Sequence, residues 1–542
     1  MAPQTRTAEI PILIVGAGPV GLALAADLGR RGVPCLVIEQ GEGPPDHPRA
    51  SALNARSMEF MRRFGVADAV RAASAPGDFP HTALYCTSLN GFEIARIERP
   101  HHGGPGPTPE SPERPQRCNQ LWLDPILRDL ALEQSGVELR YRCRFETLRQ
   151  ESDRVIVTAQ DLANDLAGDQ LIEVVAQYVV DCSGGHSPIR RALRIGMSGS
   201  SYVGHNLSIF VRAPRLWEHH PMGKAALISF VEPAGLWRNL VILDGRELYR
   251  FGVSGKPYFD APEAVDADRL FEEVVGKPVP HEVLSIRRWS ARNVVSDRYR
   301  AERVFLAGDA AHLNHPASGL GLNTGLGDAV DLGWKLAATL AGWGGAGLMD
   351  SYEIERHPVG VRNVGHASTT FDTDRTQSPH PQIALDTAAG AQARRAMGES
   401  IVRTQTAKFI TDGIALGYRY DPSPICWPEA GPAPPLTISE YHPTSYPGSR
   451  APHAWLGAGR SILDAFGGGF TLLRFGDAES DAIERAFAAR QVPLAILSIA
   501  DPAIGTLYER RLALVRPDGH VAWRSDAPPD DPRALVDRVR GV

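Results

Sequence analysis

A glycine-rich turn near the N-terminus constrains the fold of this chain more than any other feature. An apolar segment over residues 10–15 predicts a buried strand, and the letters GAGPVG follow it directly. In this turn Gly16 permits a tight bend, Gly18 lets a pyrophosphate approach the backbone, and Gly21 lets a helix pack closely on the strand. The turn therefore predicts a βαβ unit that binds a nucleotide.

The residues after the turn indicate which nucleotide. A helix is predicted over residues 22–31 and a second strand over residues 35–38, which ends at Glu39. Glu39 lies 23 residues after Gly16, where a carboxylate can accept hydrogen bonds from both ribose hydroxyls. An acid here suits an adenosine ribose without a 2′-phosphate, so FAD or NAD is predicted rather than NADP. A closely packed βαβ unit without a ligand is the alternative.

A second glycine-rich segment, RVFLAGDAAHLNHPASGLGLNTGLG, covers residues 303–327. Its apolar run ends at Gly308 and Asp309, and Gly319 and Gly321 precede an amphipathic helix. Backbone amides at the start of such a helix can face a flat, negatively polarisable ligand. Together with the N-terminal turn, this segment predicts a cofactor site.

Composition excludes several other classes of protein. The length of 542 residues suggests two to four domains. The 57 basic and 63 acidic residues are mixed along the chain, which argues against nucleic-acid binding and against a polybasic membrane-binding patch. No apolar run approaches the ~20 residues that span a bilayer, and no secretion signal is recognised. The six cysteines are scattered without a CxxC pair, so neither disulfides nor a metal site is indicated. We expect a reduced, cytoplasmic enzyme.

The remaining sequence predicts further parts. Segments at 225–231, 236–243 and 247–253 read as an antiparallel meander, one face of which can roof a ligand pocket. The end of the chain restarts as βαβ followed by ββα, a thioredoxin-like order without the CxxC of dithiol chemistry. The predicted domains are a nucleotide-binding domain (1–80, 112–195 and 286–420), a substrate-binding β-sheet domain (81–111 and 196–285), a Pro-rich linker (421–452) and a thioredoxin-like domain (453–542).

Three features coincide: GAGPVG with Glu39, RVFLAGDAAH with its PASGLGLNTG continuation, and a glycine turn at residues 182–191. Together they resemble the single-component FAD-dependent aromatic hydroxylases of the p-hydroxybenzoate hydroxylase fold. Within that group the chain is most similar to phenol and chlorophenol monooxygenases and to hydroxylases of aromatic polyketides. The resemblance covers nearly the whole chain. It implies an α/β fold with a Rossmann-like FAD-binding domain, an inserted β-sheet domain and a thioredoxin-like tail.

The resemblance also implies roles for individual residues. Those expected to hold the ADP half of FAD are Gly16, Gly18, Pro19, Gly21, Glu39 and Gln40. Those matching contacts to the phosphates and the ribityl chain are Arg49, Arg117, Gln120 and Asp309. Those expected against the isoalloxazine ring are Pro316, Gly319, Gly321, Leu322 and Asn323. The catalytic candidates are Ser51, on the substrate side, and Pro316 in the ring-facing loop. From the residues alone, Arg49 reads equally well as a solvated surface arginine.

The chain departs from the family pattern at three positions. Ser183 stands where an aspartate before Gly184 is usual, and that aspartate is associated with pyrophosphate and NAD(P)H contacts. Asp181 lies on the other side of the turn and is not assumed to replace it. In the ring loop, His315 and Leu320 replace a common proline and glutamine.

The reaction implied by the resemblance is an NAD(P)H-consuming monooxygenation, with NADPH preferred. A flavin C4a-hydroperoxide would transfer oxygen from O2 to a phenolic or polyketide-derived aromatic substrate. We expect a monomer or homodimer that needs no metal. Two alternatives are a Baeyer–Villiger or epoxidising oxygenase of a polyketide or quinone, and a flavin-binding protein in which Ser183 marks impaired reduction.

Overall fold

The computed structural model describes residues 6–99, 102–162, 170–233, 235–316, 319–376, 379–457 and 459–542. The strands are, in chain order, β1 (Arg6–Val15), β2 (Cys35–Ile38), β3 (Ala52–Leu53), β4 (Ala83–Cys86), β5 (Glu93–Ile97), β6 (Gln116–Arg117), β7 (Val137–Arg140), β8 (Cys143–Gln150), β9 (Val155–Asp161), β10 (Gln170–Asp181), β11 (Met197–Arg212), β12 (Leu227–Glu232), β13 (Gly235–Ile242), β14 (Leu248–Ser254), β15 (Glu282–Ser296), β16 (Arg300–Ala301), β17 (Val304–Leu306), β18 (His312–Leu313), β19 (Phe470–Phe475), β20 (Leu494–Ile499), β21 (Leu512–Val515) and β22 (Val521–Ser525). The α-helices are α1 (Pro19–Arg30), α2 (Ala55–Phe64), α3 (Ala67–Ala72), α4 (Gln120–Leu132), α5 (Pro188–Ala192), α6 (Lys256–Asp260), α7 (Ala267–Val275), α8 (Gly321–Leu340), α9 (Ala346–Thr376), α10 (Ala388–Phe409), α11 (Asp412–Ala415), α12 (Asp481–Ala489), α13 (Pro502–Tyr508) and α14 (Pro532–Val539).

The first sheet is built around the predicted βαβ unit. Its main path runs β16-β17-β10-β1-β2-β7, and β9 and β8 extend from β10. β1 pairs in parallel with both β2 and β10, and β10 pairs in parallel with β17. β1, β2, β10 and β17 therefore all end at the same edge. The prediction of this unit is confirmed: β2 has the predicted bounds, and α1 begins three residues earlier than expected.

The second sheet carries the predicted meander. Its order is β18-β15-β11-β14-β13-β12-β4-β5, and β12, β13 and β14 pair antiparallel as predicted. The longest pairing joins β11 to β15. The sequence did not indicate how long either of these two strands is. The first half of β11, MSGSSYVGH, lacks apolar alternation, so it gave no strand signal. β7 and β8 do not form one continuous strand, because Arg142, at φ 52°, separates them.

Burial patterns explain why these elements form. Both faces of the first sheet are covered, so β2 is buried along its whole length, as parallel sheets require. α1 and α8 pack against each other on this sheet, and Leu22 and Leu326 are buried between them. No described helix is long and apolar enough to cross a membrane.

The C-terminal part forms a four-stranded sheet in the order β20-β19-β21-β22. β19 pairs in parallel with β20 and antiparallel with β21, which agrees with the predicted βαβ-then-ββα order, and β19 and β20 have their predicted bounds. α13 was not predicted. Residues 421–452 hold no helix or strand, yet Ile425, Cys426 and Arg450 are buried there. The thioredoxin-like assignment and the domain boundaries stay predictions.

Candidate active site

The edge where the parallel strands end brings three sequence motifs together. Gly16 follows β1, Glu39 follows β2, Ser183 lies two residues after β10, and Gly308 lies two residues after β17. Ligands of open α/β sheets bind outside the carboxyl ends of the strands. This edge is therefore the candidate cofactor cleft.

The glycine turn is shaped for close packing on one side and open on the other. A Cβ on Gly16 would collide with the Cys182 carbonyl, and one on Gly21 would collide with the Gly16 carbonyl. A Cβ on Gly18 would meet nothing within 4 Å. Pro19 begins α1, whose N-terminus has no side-chain cap. The first amides of α1 are therefore left for an anion, as a pyrophosphate requires.

Glu39 is held in place from both sides. One carboxylate oxygen accepts from the Ala17 amide at 2.9 Å, and the other accepts from the Gly41 amide at 2.8 Å. The neighbouring Gln40 is exposed. The carboxylate is thus oriented at the end of β2 before any ligand binds, with lone pairs to spare for ribose hydroxyls.

Asp309 lies in the cleft on the other side of the edge. It is exposed to solvent, yet protein surrounds it closely enough that burial raises the pKa of its carboxyl, against the opposing charges of His312 and Arg49. Arg49 is itself exposed. The structure therefore brings Asp309 and Arg49, which are far apart in sequence, close enough to interact electrostatically.

The turn around Asp309 rests on a buried polar contact set. Asp328 of α8 accepts from the Gly308 amide at 3.0 Å and from Arg356 at 2.8 Å, and its carboxylate is 2.8 Å from His312. All of these side chains are buried. The position of the turn is thus tied to α8 and α9.

The ring loop, defined as Pro316 and residues 319–323, precedes and begins α8. Pro316 is exposed and its carbonyl accepts from the Gly319 amide at 3.0 Å. No side chain caps the start of α8, so the amides of Gly321 and Leu322 are available to a ligand. A Cβ on Gly321 would lie 3.9 Å from an Asp309 carboxylate oxygen, which places the loop beside that turn.

The side chain of Asn323 bonds to neighbouring segments of the protein, and the position of this residue against the ring stays a prediction. Its Oδ1 accepts from the Asn54 amide at 2.9 Å and from the Ser57 hydroxyl at 2.6 Å. Its Nδ2 donates to the carbonyls of Ala52 and Gly319 at 2.9 and 2.6 Å. The side chain therefore ties the ring loop to β3 and the start of α2.

Ser51 and Gln120 belong to the wall beside the loop. The Ser51 hydroxyl accepts from Asn119 at 2.8 Å, and the Gln120 carbonyl oxygen accepts from the Ala50 amide at 3.3 Å. Both residues are buried. These contacts hold the segment that carries Arg49, and a catalytic role for Ser51 stays a prediction.

The arginine cluster, defined as Arg99, Arg117 and Arg250, lies between the two sheets. Burial, then the charges of Arg99 and Arg250, lowers the pKa of Arg117 to about 9. Burial lowers the pKa of Arg99 and of Arg250 to about 10 each. Among the described residues no carboxylate forms an ion pair with any of the three. Arg117 is buried, whereas Arg99 and Arg250 are half-buried and donate to the His81 carbonyl at 2.6 Å and to the Asn239 side chain at 2.8 Å. The cluster is a concentration of positive charge, largely shielded from water, without a carboxylate partner.

Several polar side-chain atoms in and around the cluster lack hydrogen-bond partners among the described residues. The Nε of Arg117 and both ring nitrogens of buried His81 have no hydrogen bond within the described structure. Burial, then Arg117 and Arg99, lowers the pKa of His81 to about 2, so the ring is neutral. Arg250 also influences His315 of the ring-loop segment, whose pKa is lowered to about 3 mainly by burial. The cluster thus adjoins the ring loop.

Sequence reasoning found Arg117 but missed Arg99 and Arg250. In β14 Arg250 stands between Tyr249 and Phe251, which are both fully buried in the core of the second sheet. Because successive side chains of a strand point to opposite faces, Arg250 points away from that core. A charged residue at a strand position flanked on both sides by apolar, core-facing residues is the signal that could have identified Arg250.

The middle turn is stabilised by the acid that precedes it. Buried Asp181 accepts from the Ser183 amide at 3.0 Å, from the Ser183 hydroxyl at 2.5 Å and from the Ser187 hydroxyl. Its carboxylate is committed to the turn and does not substitute for the missing aspartate. Ser187 also caps α5, and Pro188 begins that helix.

The residues of the cleft fit FAD. The open face at Gly18, the oriented Glu39 and the uncapped starts of α1 and α8 match an adenosine ribose, a pyrophosphate and a flavin ring edge. The uncapped start of α8 can stabilise negative charge on a flavin ring, and Asp309 beside it is accessible to the hydroxyls of a ribityl chain.

Known protein families match most of the chain. The FAD binding domain family matches residues 9–367, and the aromatic-ring hydroxylase C-terminal family matches residues 444–542. Tetracenomycin B2 monooxygenase-dioxygenase of Streptomyces olivaceus is 33% identical over 565 residues, covering 98% of this chain and 98% of that protein.

Solved structures agree with this assignment. RebC, a rebeccamycin biosynthetic enzyme with reduced flavin, has a TM-score of 0.91 and 39% identity, covering 99% of this chain and 100% of that chain. RebC soaked with chromopyrrolic acid, with 7-carboxy-K252c bound, has a TM-score of 0.90 and 39% identity, covering 99% of each chain. The chain therefore belongs to the FAD-dependent aromatic-ring hydroxylases of the p-hydroxybenzoate hydroxylase fold, and it is an FAD-dependent monooxygenase.

Proposed function

We propose that this monooxygenase hydroxylates a phenolic or polyketide-like aromatic substrate that carries an acidic group, with NADPH as electron donor. The observation that carries the substrate class is the arginine cluster beside the ring loop. A buried guanidinium without a carboxylate partner is costly, and Arg favours planar, bidentate binding of carboxylates. An anionic substituent on the substrate would supply the missing partner.

The relatives support an aromatic substrate of this kind. RebC has 7-carboxy-K252c bound, a ligand that is carboxylated by its name. Other relatives are named as tetracenomycin and aklavinone oxygenases, from Streptomyces species. Because His81 and His315 are neutral, the positive charge around them comes from the arginines and from Lys408.

Each part of the site has a proposed task. Bound FAD would accept electrons from NADPH and supply the activated oxygen. Gly18, the start of α1 and Glu39 would hold its ADP half, and Asp309 its ribityl hydroxyls. The amides of Gly321 and Leu322 would stabilise negative charge on the ring edge. The arginine cluster would orient the substrate and, with the second sheet, keep water from the ring.

A cofactor and turnover assay tests the proposal. Purified protein should be yellow and release FAD on denaturation. Aromatic acids and phenols should stimulate NADPH oxidation with matching O2 uptake, and ¹⁸O2 should place one labelled oxygen on a ring carbon. Protein that neither binds FAD nor consumes NADPH with any of these compounds would refute it. Label in a newly formed ester or epoxide would instead establish the Baeyer–Villiger or epoxidising alternative.

A further inference from the structure

A buried set of charges joins the C-terminal part of the chain to the nucleotide-binding domain. We call it the ionic interface, and its members are Arg56, Glu59, Asp331, Lys335, Glu355, Arg450, Arg516 and Asp518. Their side chains are at most 5% exposed. Four acids and four bases balance in charge, which is what burial of so many ions requires.

One half of the interface surrounds Arg516, in the turn between β21 and β22. Arg516 donates to Glu355 of α9 at 2.6 and 2.9 Å and to Asp331 of α8 at 3.0 Å. Lys335 bridges the same two acids at 2.6 and 2.8 Å. Arg516 also pairs with Asp518 at 2.7 Å. Arg516 thus adds a tie from the C-terminal part to the bonds that Lys335 and Arg356 make directly between α8 and α9.

The other half surrounds Glu59 of α2. Arg450 contacts both oxygens of Glu59, with its Nε at 3.0 Å. Arg56 donates to Glu59 at 2.9 Å and to the Asp518 carbonyl at 2.9 Å, which links the two halves. The C-terminal part therefore also fixes α2.

The helices that receive these arginines are those that carry the ring loop. α8 begins at Gly321 inside the loop, and Asn323 ties the loop to Asn54 and Ser57 at the start of α2. Asp331 lies ten residues beyond Gly321, or roughly 15 Å along a straight helix. A rigid helix transmits a shift at one end to the other.

The loop is not supported by packing alone. A small cavity of about 20 Å³ lies behind it, lined among others by Leu320, Asn323, Arg356 and Tyr418. Arg356, the neighbour of Glu355 in α9, donates to the Thr324 carbonyl at 2.9 Å across this region. Together with the hydrogen bonds of Asn323, this contact makes the position of the loop depend on polar ties and on the placement of α2, α8 and α9.

We propose that Arg516 and Arg450 are positioning residues for the flavin, acting from the C-terminal part through α8, α9 and α2 on the ring loop. The inference rests on the proposed function's placement of the flavin ring at that loop. It gives the C-terminal part a role in cofactor binding although the residues of this part that the structure describes include none of those placed in the cleft.

Titration of apoprotein with FAD, followed by fluorescence, tests this on the full chain. Arg516→Met should raise the Kd for FAD at least tenfold and shift the reduction potential of the bound flavin. Arg516→Lys, which keeps the charge but loses the forked geometry, should fold and give an intermediate Kd. The matched control is Arg490→Lys, which alters a C-terminal surface pair with Asp537 and should change neither value.

A double variant separates positioning from general destabilisation. If Arg516 acts through the loop, Asn323→Ala should raise the Kd by itself and reduce the further effect of Arg516→Lys. Folded Arg516→Lys protein with the wild-type Kd and potential, or fully additive effects with Asn323→Ala, would overturn the inference. Wild-type protein that binds no FAD would instead overturn the proposed function.

Discussion

The nucleotide-binding domain buries charge against both of its neighbours, in opposite ways. At the boundary with the second sheet lies the arginine cluster, which no described carboxylate pairs. Arg117 comes from the nucleotide-binding domain, whereas Arg250 lies in β14 and Arg99 follows β5 of the second sheet. Towards the C-terminal part the nucleotide-binding domain presents the ionic interface, in which every charge has a partner within 3.0 Å. Desolvation penalises both sets. The difference indicates that the paired charges hold the chain together, whereas the unpaired charges are kept for a ligand.

Removing an acid from the ionic interface should have the largest effect. Glu355→Leu removes one of the two acids that buried Arg516 and Lys335 share and leaves an uncompensated buried charge, so we expect a loss of about 3–5 kcal/mol in unfolding free energy. Urea unfolding followed by circular dichroism measures this. Asp537→Leu, at a partly exposed pair, should cost about 1 kcal/mol or less. Equal losses for the two variants would contradict the account.

Acid should weaken the interface through Glu59. Burial alone would raise the pKa of this carboxyl, but Arg450 and Arg56 lower it from 4.5 to about 2. A lowered pKa stabilises the folded state above pH 4.5, and this contribution is lost as the pH falls towards 2. The full shift corresponds to about 3 kcal/mol.

The control for this effect is Glu59→Gln, which cannot titrate. The stability difference between wild type and Glu59→Gln, from urea midpoints, should shrink between pH 5 and pH 3. A difference that stays constant over this range would show that the carboxylate is not stabilised by its arginines.

Removing a charge from the arginine cluster should not lower the stability of the protein, in contrast to removing one from the ionic interface. Arg117→Met removes an unpaired buried charge, so stability without ligand should stay the same or rise by about 1 kcal/mol. Affinity for an acidic aromatic ligand should fall at least tenfold, or about 1.4 kcal/mol. Calorimetric unfolding and ligand titration measure the two quantities. Arg114→Met, at a half-buried arginine three residues away that donates to the Pro107 carbonyl, should alter neither.

The smallest effect is expected at the middle turn. The family resemblance places an aspartate where Ser183 stands, and one exposed charge is worth about 1 kcal/mol, or about fivefold in rate. Ser183→Asp should therefore accelerate flavin reduction by NADPH by about that factor in anaerobic stopped-flow. It should also lower stability slightly, because the new carboxylate adjoins Asp181. An unchanged rate would contradict the hypothesis that Ser183, in place of the aspartate, weakens the interaction with NADPH.

Local signals in the sequence predicted the cleft well. Gly21 is explained by a contact within one βαβ unit and Gly18 by the open face of its turn, and the start of α8 follows from the glycines of the ring loop. The close approach of Cys182 to Gly16 is a long-range contact that the motif does not show. Asn323 shows the limit: its position in the loop was predicted, but its partners, Asn54 and Ser57, are more than 260 residues away in sequence.

The two polar interfaces could not be predicted for the same physical reason. Arg516 meets Asp331 across 185 residues, and Arg450 meets Glu59 across 391. A single sequence carries no record of such pairings. β11 was missed because its polar first half lacks the alternation by which a strand is recognised.

The most direct test of the account compares one aromatic acid with its neutral amide as stimulators of NADPH oxidation, in wild type and in Arg117→Met. We predict that kcat/KM for the acid exceeds that for the amide at least tenfold in wild type, and that Arg117→Met removes most of this preference. Equal kcat/KM values for acid and amide in wild-type protein, or an undiminished preference in Arg117→Met, would contradict it.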